Sequence, residues 1–148
     1  MKKQVLPALA SALMTTALAG VLAGPALAGM AGDQAIAHFN AIGNGQVDAI
    51  TNAYTDNAIL QWIGGPLDGV YGSKADIKVV WQKFTKAQGK LKVEVSKLRE
   101  NANPKGATVS ANVKFIGKNT VPVRYVLTYR GDQLVNEVWQ IDPNLGKY

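Results

Sequence analysis

The side chains best suited to acid–base chemistry in this sequence are one histidine and one glutamate. His38 is the single histidine of the chain, and an imidazole changes its charge between about pH 5 and 8. Glu137 falls in the last predicted strand, where it shares an alternating stripe with Val135, Trp139 and Ile141. A carboxyl group on a core-facing stripe is costly unless it is paired or protonated. His38 and Glu137 are therefore the candidate catalytic residues, with proton transfer as their chemistry.

Each of these two residues also has a plainer interpretation. The core side of the last strand could instead carry Leu134 and Val138, which would leave Glu137 exposed to solvent. His38 lies on the border of the apolar stripe of the first predicted helix, so it could face solvent or have a structural role alone. The sequence leaves both alternatives open.

Aromatic side chains form the second candidate group. Tyr54, Trp62, Tyr125 and Trp139 would give a ligand pocket an aromatic lining, and they are the candidate ligand-binding residues. The sequence has no nucleophile elbow, no phosphate-binding glycine loop and no metal-ligand spacing. With one histidine and no cysteine it lacks the ligands of a structural zinc site. We therefore expect neither a cofactor nor a metal.

The N-terminus has the pattern of a secretory signal peptide over residues 1–28. Lys2 and Lys3 give a basic start, an apolar run follows, and small residues stand at Ala26 and Ala28, where a signal peptidase reads them. A membrane anchor is the alternative, but glycines and a proline interrupt the run and no charged stop-transfer cluster follows it. We predict cleavage after Ala28, a periplasmic or secreted protein, and no stable membrane insertion after cleavage.

The remaining chain, residues 29–148, has the length of one domain. Loss of the two N-terminal lysines lowers the formal net charge from +6 to +4, and the other lysines are scattered along the chain. Nucleic-acid binding usually requires basic residues clustered on one face, so we do not expect a nucleic-acid partner. Because the chain has no cysteine, no disulfide framework holds the domain.

Periodicity and turn residues predict three helices and a sheet. The expected order is a helix over 34–42 capped by Asp33, a helix running through Tyr54, a turn at 55–57, a strand over 58–63, a short strand at 70–71 and a helix from Ser73 to Gly89. Four alternating strands follow, at about 91–98, 107–115, 121–129 and 134–141. Leu98 breaks the alternation, which predicts a bulge. Pro122 lacks a donor, so we place it at a bulge or near a strand start.

Consecutive strands joined by short turns form an antiparallel meander, and the helices must cover one of its faces. Three motifs accompany this order of elements: Tyr54-Thr55-Asp56-Asn57-Ala58, Gly69-Val70-Tyr71-Gly72 and Trp139-Gln140-Ile141-Asp142-Pro143. Together they resemble the nuclear transport factor 2-like superfamily, in its SnoaL-like branch, over nearly the whole mature chain. The resemblance implies an α+β fold, a cone-shaped roll in which a curved antiparallel meander sheet wraps around three N-terminal helices. It also implies a conical pocket, lined from the first helix, the first strand and the last strands, and homodimers formed through the outer sheet face.

The ketosteroid isomerase pattern of that superfamily does not carry over to this chain. Its helical tyrosine falls at His38, its aspartate at Trp62 and its late carboxylic acid near Tyr125, so none of the three positions keeps its residue. We predict instead a domain that binds a small apolar or aromatic molecule in the conical pocket. The alternative is a cofactor-independent isomerase, dehydratase or cyclase that uses Glu137 and His38.

Overall fold

A computed structural model describes residues 29–147 of the chain. The predicted signal peptide, 1–28, lies outside the described residues. The elements follow one another as α1 (Met30–Gly43), α2 (Val47–Asn52), β1 (Tyr54–Ile63), β2 (Gly69–Tyr71), α3 (Lys74–Gln88), β3 (Lys92–Asn103), β4 (Gly106–Ile116), β5 (Thr120–Arg130) and β6 (Gln133–Ile141). Among the described residues, no helix has the length and apolar character needed to cross a membrane.

The strands form one sheet in the order β2-β1-β6-β5-β4-β3. β3 to β6 make the predicted antiparallel meander. β1 lies beside β6 in parallel, with Leu60 opposite Glu137 and Trp62 opposite Trp139. A parallel pair needs a long crossover connection, here α3 and the meander itself, and alternation within a strand does not reveal its direction. The predicted α+β fold, a curved sheet around helices, is confirmed, with this parallel pair as an addition.

The core lies between the helices and one face of the sheet. β4 and β5 bury alternate side chains, such as Phe115 and Tyr125, and the helices add Phe39, Trp81 and Phe84. Full burial of one side chain of this kind contributes about 1.5–3 kcal/mol. The side chains whose alternation predicted the strands therefore also pack against the helices and hold them over the sheet.

The start of α1 differs from the prediction. The helix begins at Met30 rather than near residue 34, and Asp33 lies in its first turn instead of capping it. Glu100 of β3 takes the capping role, because its carboxylate accepts from the backbone N–H of Gly29 at 2.8 Å and of Gly32 at 2.7 Å. A cap supplied from a distant strand leaves no mark in the local sequence, which is why the prediction was wrong here.

Tyr54 and the three residues after it also differ from the prediction. α2 ends at Asn52, so Tyr54 opens β1 instead of continuing a helix, and the predicted turn at 55–57 lies within that strand. The pairing with β6 slips here, since Tyr54 is opposite Leu134 but Ile59 is opposite Asn136. The turn-forming residues are thus accommodated as an outward bulge of a strand.

Three local predictions are confirmed. The Ser73 side chain caps α3 by accepting from Asp76 N–H at 3.1 Å. The pairing of β3 with β4 shifts between Ser96 and Arg99, which places the predicted bulge around Leu98. Pro122 is the third residue of β5, near the strand start.

Candidate functional site

A bulge in β6 decides where Glu137 points. The register with β5 shifts near its start, so that Leu134 pairs with Tyr129 and Asn136 pairs with Thr128. The intervening residue, Val135, has no paired residue in β5. The core side of β6 therefore carries the even-numbered Leu134 before the bulge and the odd-numbered Glu137 after it. Each sequence alternative was partly right, because both Leu134 and Glu137 face the core. Glu137 is fully buried, with 0% of its surface exposed.

The structure brings the two candidate catalytic residues together. His38 Nε2 lies 3.2 Å from Glu137 Oε2, although the residues are far apart in sequence. α1 supplies His38 beside the buried Phe39, and the imidazole is itself only 4% exposed. The helix packs against β3 and β4, which turns His38 toward the interior. The arrangement is a buried imidazole–carboxylate pair that can share a proton.

Tyr54 and Trp81 extend this pair into a chain of hydrogen bonds. The Tyr54 hydroxyl donates to the same Glu137 oxygen as His38 contacts, and it accepts from the Trp81 indole N–H at 2.9 Å. Burial, followed by the charge of Glu137, raises the pKa of Tyr54 well above its ordinary value. Tyr54 therefore remains a protonated donor at any physiological pH.

Tyr54 was predicted to bind the ligand, whereas Trp81 was not predicted to belong to a site. The one available signal for Trp81 was general: a buried indole N–H needs an acceptor. That requirement does not say which residue supplies the acceptor. Only the packing of α3 against β1 joins the two side chains.

The other Glu137 oxygen, Oε1, has no hydrogen-bond partner among the described residues. Burial, followed by the charge of Glu137, raises the pKa of the Tyr125 hydroxyl well above its ordinary value. Within the part of the chain that the structure describes, this hydroxyl nevertheless has no hydrogen-bond partner, and neither has His38 Nδ1. Of the two Glu137 oxygens, Oε2 thus has two hydrogen-bond partners and Oε1 has none among the described residues. No group of three or more potential metal ligands occurs within residues 29–147.

The aromatic candidates fill the interior of the roll. Trp62 stacks on Trp139 with ring centroids 4.4 Å apart, and Phe115 stacks on the far side of the cluster at 5.1 Å from Trp139. Tyr125 packs edge-on against Trp139 at 5.3 Å. Neither of the two cavities described next is lined by Tyr54, Tyr125 or Trp139. Of the four candidate ligand-binding residues, Trp62 alone borders one of these cavities.

That cavity, which we call the mouth pocket, has a volume of 370 Å³. It lies where the end of β1, the second half of α3, the start of β5 and the end of β6 meet, and it is lined by Trp62, Pro66, Leu67, Lys83, Phe84, Ala87, Gln88, Val121 and Ile141. Its size is within the usual range for small-molecule sites. Along the strands, the stacked Trp62 and Trp139 lie one inward-facing position nearer the pocket than Leu60 and Glu137. The tryptophan pair therefore separates the mouth pocket from the carboxylate.

A second cavity, the helix-side groove, borders the imidazole instead. It has a volume of 290 Å³ and is lined by Gln34, Ala37, His38, Ala41, Ala49, Ala53, Tyr129 and Asp132. Four of these residues are alanines, whose short side chains occupy little of the groove. A solute that reached the buried pair through this groove would meet His38 first, since Glu137 does not line it.

Comparison with known proteins identifies the fold. No family model matches the sequence, and no curated protein matches it. Similar solved structures include an NTF2-like protein of unknown function from Pseudomonas putida KT2440, at 16% identity and a TM-score of 0.64 over 73% of this chain and 81% of that chain. An NTF2-like protein from Anabaena variabilis ATCC 29413 has 14% identity and a TM-score of 0.61 over 78% of this chain and 89% of its own.

An LEH-like epoxide hydrolase of M. tuberculosis is also similar, at 17% identity and a TM-score of 0.54, over 76% of this chain and 83% of that chain. These identities are low, so the likeness is one of fold and not of activity. The matches cover about three quarters of this chain. The chain therefore has the nuclear transport factor 2-like fold, as the resemblance in its sequence predicted.

Proposed function

We propose that the protein is exported and binds a small apolar or aromatic molecule in the mouth pocket. The observation that supports this proposal is the composition of the lining. All of its side chains except Lys83 and Gln88 are apolar, and Trp62 offers an aromatic ring that is already fixed by stacking on Trp139. A rigid apolar wall costs little to organise when a ligand enters.

The size of the pocket sets the affinity that an experiment must be able to detect. A ligand of about ten non-hydrogen atoms, at about 0.5 kcal/mol per atom, gains roughly 5 kcal/mol. This corresponds to a dissociation constant on the order of 0.2 mM. Titrations must therefore reach millimolar ligand.

The test is a titration of tryptophan fluorescence with 1-octanol and 4-propylphenol. Both ligands should change the emission saturably, because Trp62 lines the pocket. Ala87→Phe should abolish the saturable change, since Ala87 lines the same pocket from α3. Ala75→Phe makes the same change at an exposed position of α3 outside the pocket and should bind like the wild type. Equal binding by both variants would refute the mouth pocket as the site.

A second candidate function is acid–base catalysis by the buried pair, supported by the 3.2 Å contact between His38 and Glu137. The fold also accommodates enzymes, such as the LEH-like epoxide hydrolase. Turnover of enolisable ketones by wild type, Glu137→Gln and His38→Gln tests it. Loss of a general base lowers rates by about 10²–10⁴-fold. Wild-type turnover that neither substitution reduces would exclude this pair as the catalyst.

A further inference from the structure

We propose that the ligand of the mouth pocket is an amphipathic anion, a medium-chain or aryl carboxylate whose acidic group pairs with Lys83. This inference rests on the proposed function and adds the chemical class of the ligand. It concerns the one part of the pocket that is not apolar, the rim formed by Lys83 and Gln88 of α3.

Among the residues that the structure describes, Lys83 is the single charged side chain that lines the mouth pocket. It is exposed at the rim, one helical turn before Ala87 and next to the buried Phe84. Two lysines of the described chain form ion pairs with carboxylates, Lys78 with Asp48 at 3.0 Å and Lys92 with Glu94 at 2.9 Å. Within residues 29–147, Lys83 has no such partner.

The acidic residues closest in sequence to the pocket lining are engaged elsewhere. Asp68, next to Leu67, accepts from the Gly64 backbone N–H at 2.7 Å. Asp142, next to Ile141, pairs with Arg124 at 3.0 Å. Neither of these two carboxylates therefore neutralises the positive charge at the rim.

The geometry suits a molecule with one charged end. The aliphatic stem of a lysine can lie along an apolar ligand while its ammonium group stays in water. An apolar tail would occupy the space beside Trp62 and Phe84, and its carboxylate would lie at the rim within reach of Lys83. Because exposed ion pairs are weak, the expected preference for the anion is only about two- to fivefold in Kd, and salt should reduce it.

The test compares octanoate, 1-octanol and octylamine, three ligands with the same tail, by calorimetry at low ionic strength. Wild type should bind octanoate about two- to fivefold more tightly than 1-octanol, and octylamine most weakly. Lys83→Met should remove the preference for octanoate over 1-octanol. Lys105→Met is the matched control, because it removes the same charge at an exposed position of the β3–β4 turn.

Each outcome decides the question. Equal binding of octanoate and 1-octanol by wild type would overturn the inference and leave the proposed function intact. A preference for octanoate that survives in Lys83→Met would also overturn it, since the net charge of the protein would then be responsible. Failure of all three ligands to bind would overturn both proposals.

A second inference comes from the cap of α1. We propose that signal cleavage after Ala28 creates an α-ammonium group on Gly29 that pairs with Glu100. Gly29 is the first residue of the predicted mature chain. The Glu100 carboxylate already lies 2.8 Å from its backbone nitrogen. A Cβ on Gly32 would come 3.1 Å from the same carboxylate, so glycine at that position gives it room to approach.

Other charges share this corner of the molecule. Asp33 of α1 and Lys97 of β3 line the same hollow as Gly29 and Glu100. Cleavage changes none of these side chains, whereas it converts a neutral amide donor on Gly29 into a cation. The ion pair with Glu100 should therefore exist in the processed chain and be absent from an extended one.

The test measures melting temperatures of two forms, one beginning at Gly29 and one that retains residues 19–28 before it, each with Glu100 or with Glu100→Gln. At pH 6 the substitution should lower the melting temperature more in the form that begins at Gly29. This excess should be present below the ordinary amino pKa of about 8 and disappear as the pH rises above it. The same loss in both forms at pH 6 would overturn the inference.

Discussion

Replacement of Tyr54 by phenylalanine tests whether the hydrogen-bond chain to Glu137 stabilises the fold. The substitution keeps the ring in the core and removes one hydroxyl group. That hydroxyl donates to Glu137 and accepts from Trp81 at 2.9 Å. Its loss leaves two buried polar groups each short of a partner, at about 1–3 kcal/mol apiece. Because Glu137 retains His38 at 3.2 Å, we expect a destabilisation in the lower half of that sum, about 2–4 kcal/mol.

Tyr125 supplies a matched control. It is as deeply buried as Tyr54 and faces the same carboxylate, but its hydroxyl has no hydrogen-bond partner among residues 29–147. Tyr125→Phe should therefore cost less than about 1 kcal/mol, since it removes no partner from another group. The two substitutions delete the same atom from the same kind of side chain, so they differ only in the hydrogen bonds that are lost.

The assay is urea unfolding followed by far-ultraviolet circular dichroism, with the free energy of unfolding taken by linear extrapolation. For a domain of this size, a loss of about 2–4 kcal/mol lowers the melting temperature by roughly 8–16 °C. Equal destabilisation by Tyr54→Phe and Tyr125→Phe would refute the reasoning. So would a Tyr54→Phe variant as stable as the wild type.

Four further predictions follow from the same structure. Burial raises the pKa of Tyr54 and Tyr125, so stability should fall as pH rises above about 10, and their tyrosinate absorbance should appear only together with unfolding. The Asn144 N–H and Arg124 lower the pKa of Asp142 from its ordinary value of 3.8, so this carboxylate stabilises the fold above that value. Between pH 5 and 2, the melting temperature of Asp142→Asn should therefore fall less than that of the wild type. Light scattering should give twice the chain mass, since we predict a homodimer through the outer sheet face, and a monomer at tens of micromolar would contradict it. The intact mass of protein from the native host should equal that of a chain that begins at Gly29. A mass that includes residues 1–28 would contradict export.

Much of the fold was predictable because its determinants are local. The cap at Ser73, the interrupted alternation at Leu98 and the missing donor of Pro122 each act on neighbouring residues. The parallel pairing of β1 with β6 was not predictable, because strand direction depends on where the connecting helix returns the chain. The capping of α1 by Glu100 was not predictable because the carboxylate comes from a strand that is distant in sequence.

The candidate site was predictable in its members and not in its shape. A core-facing acid is costly alone, which drew attention to Glu137, and the structure supplies His38 and Tyr54 as its neighbours. Sequence patterns say that aromatic residues are buried, but they do not say whether these side chains surround a space or fill it. Here Trp139 and Tyr125 fill it, and the remaining space lies beside Trp62 at the open end.

The most direct test of the binding proposal is a crystal structure of the protein saturated with octanoate. We predict one ligand whose tail contacts Trp62, Phe84 and Ile141, the walls of the mouth pocket. A saturated crystal in which octanoate lies only in the helix-side groove beside His38, or in neither cavity, would contradict the account.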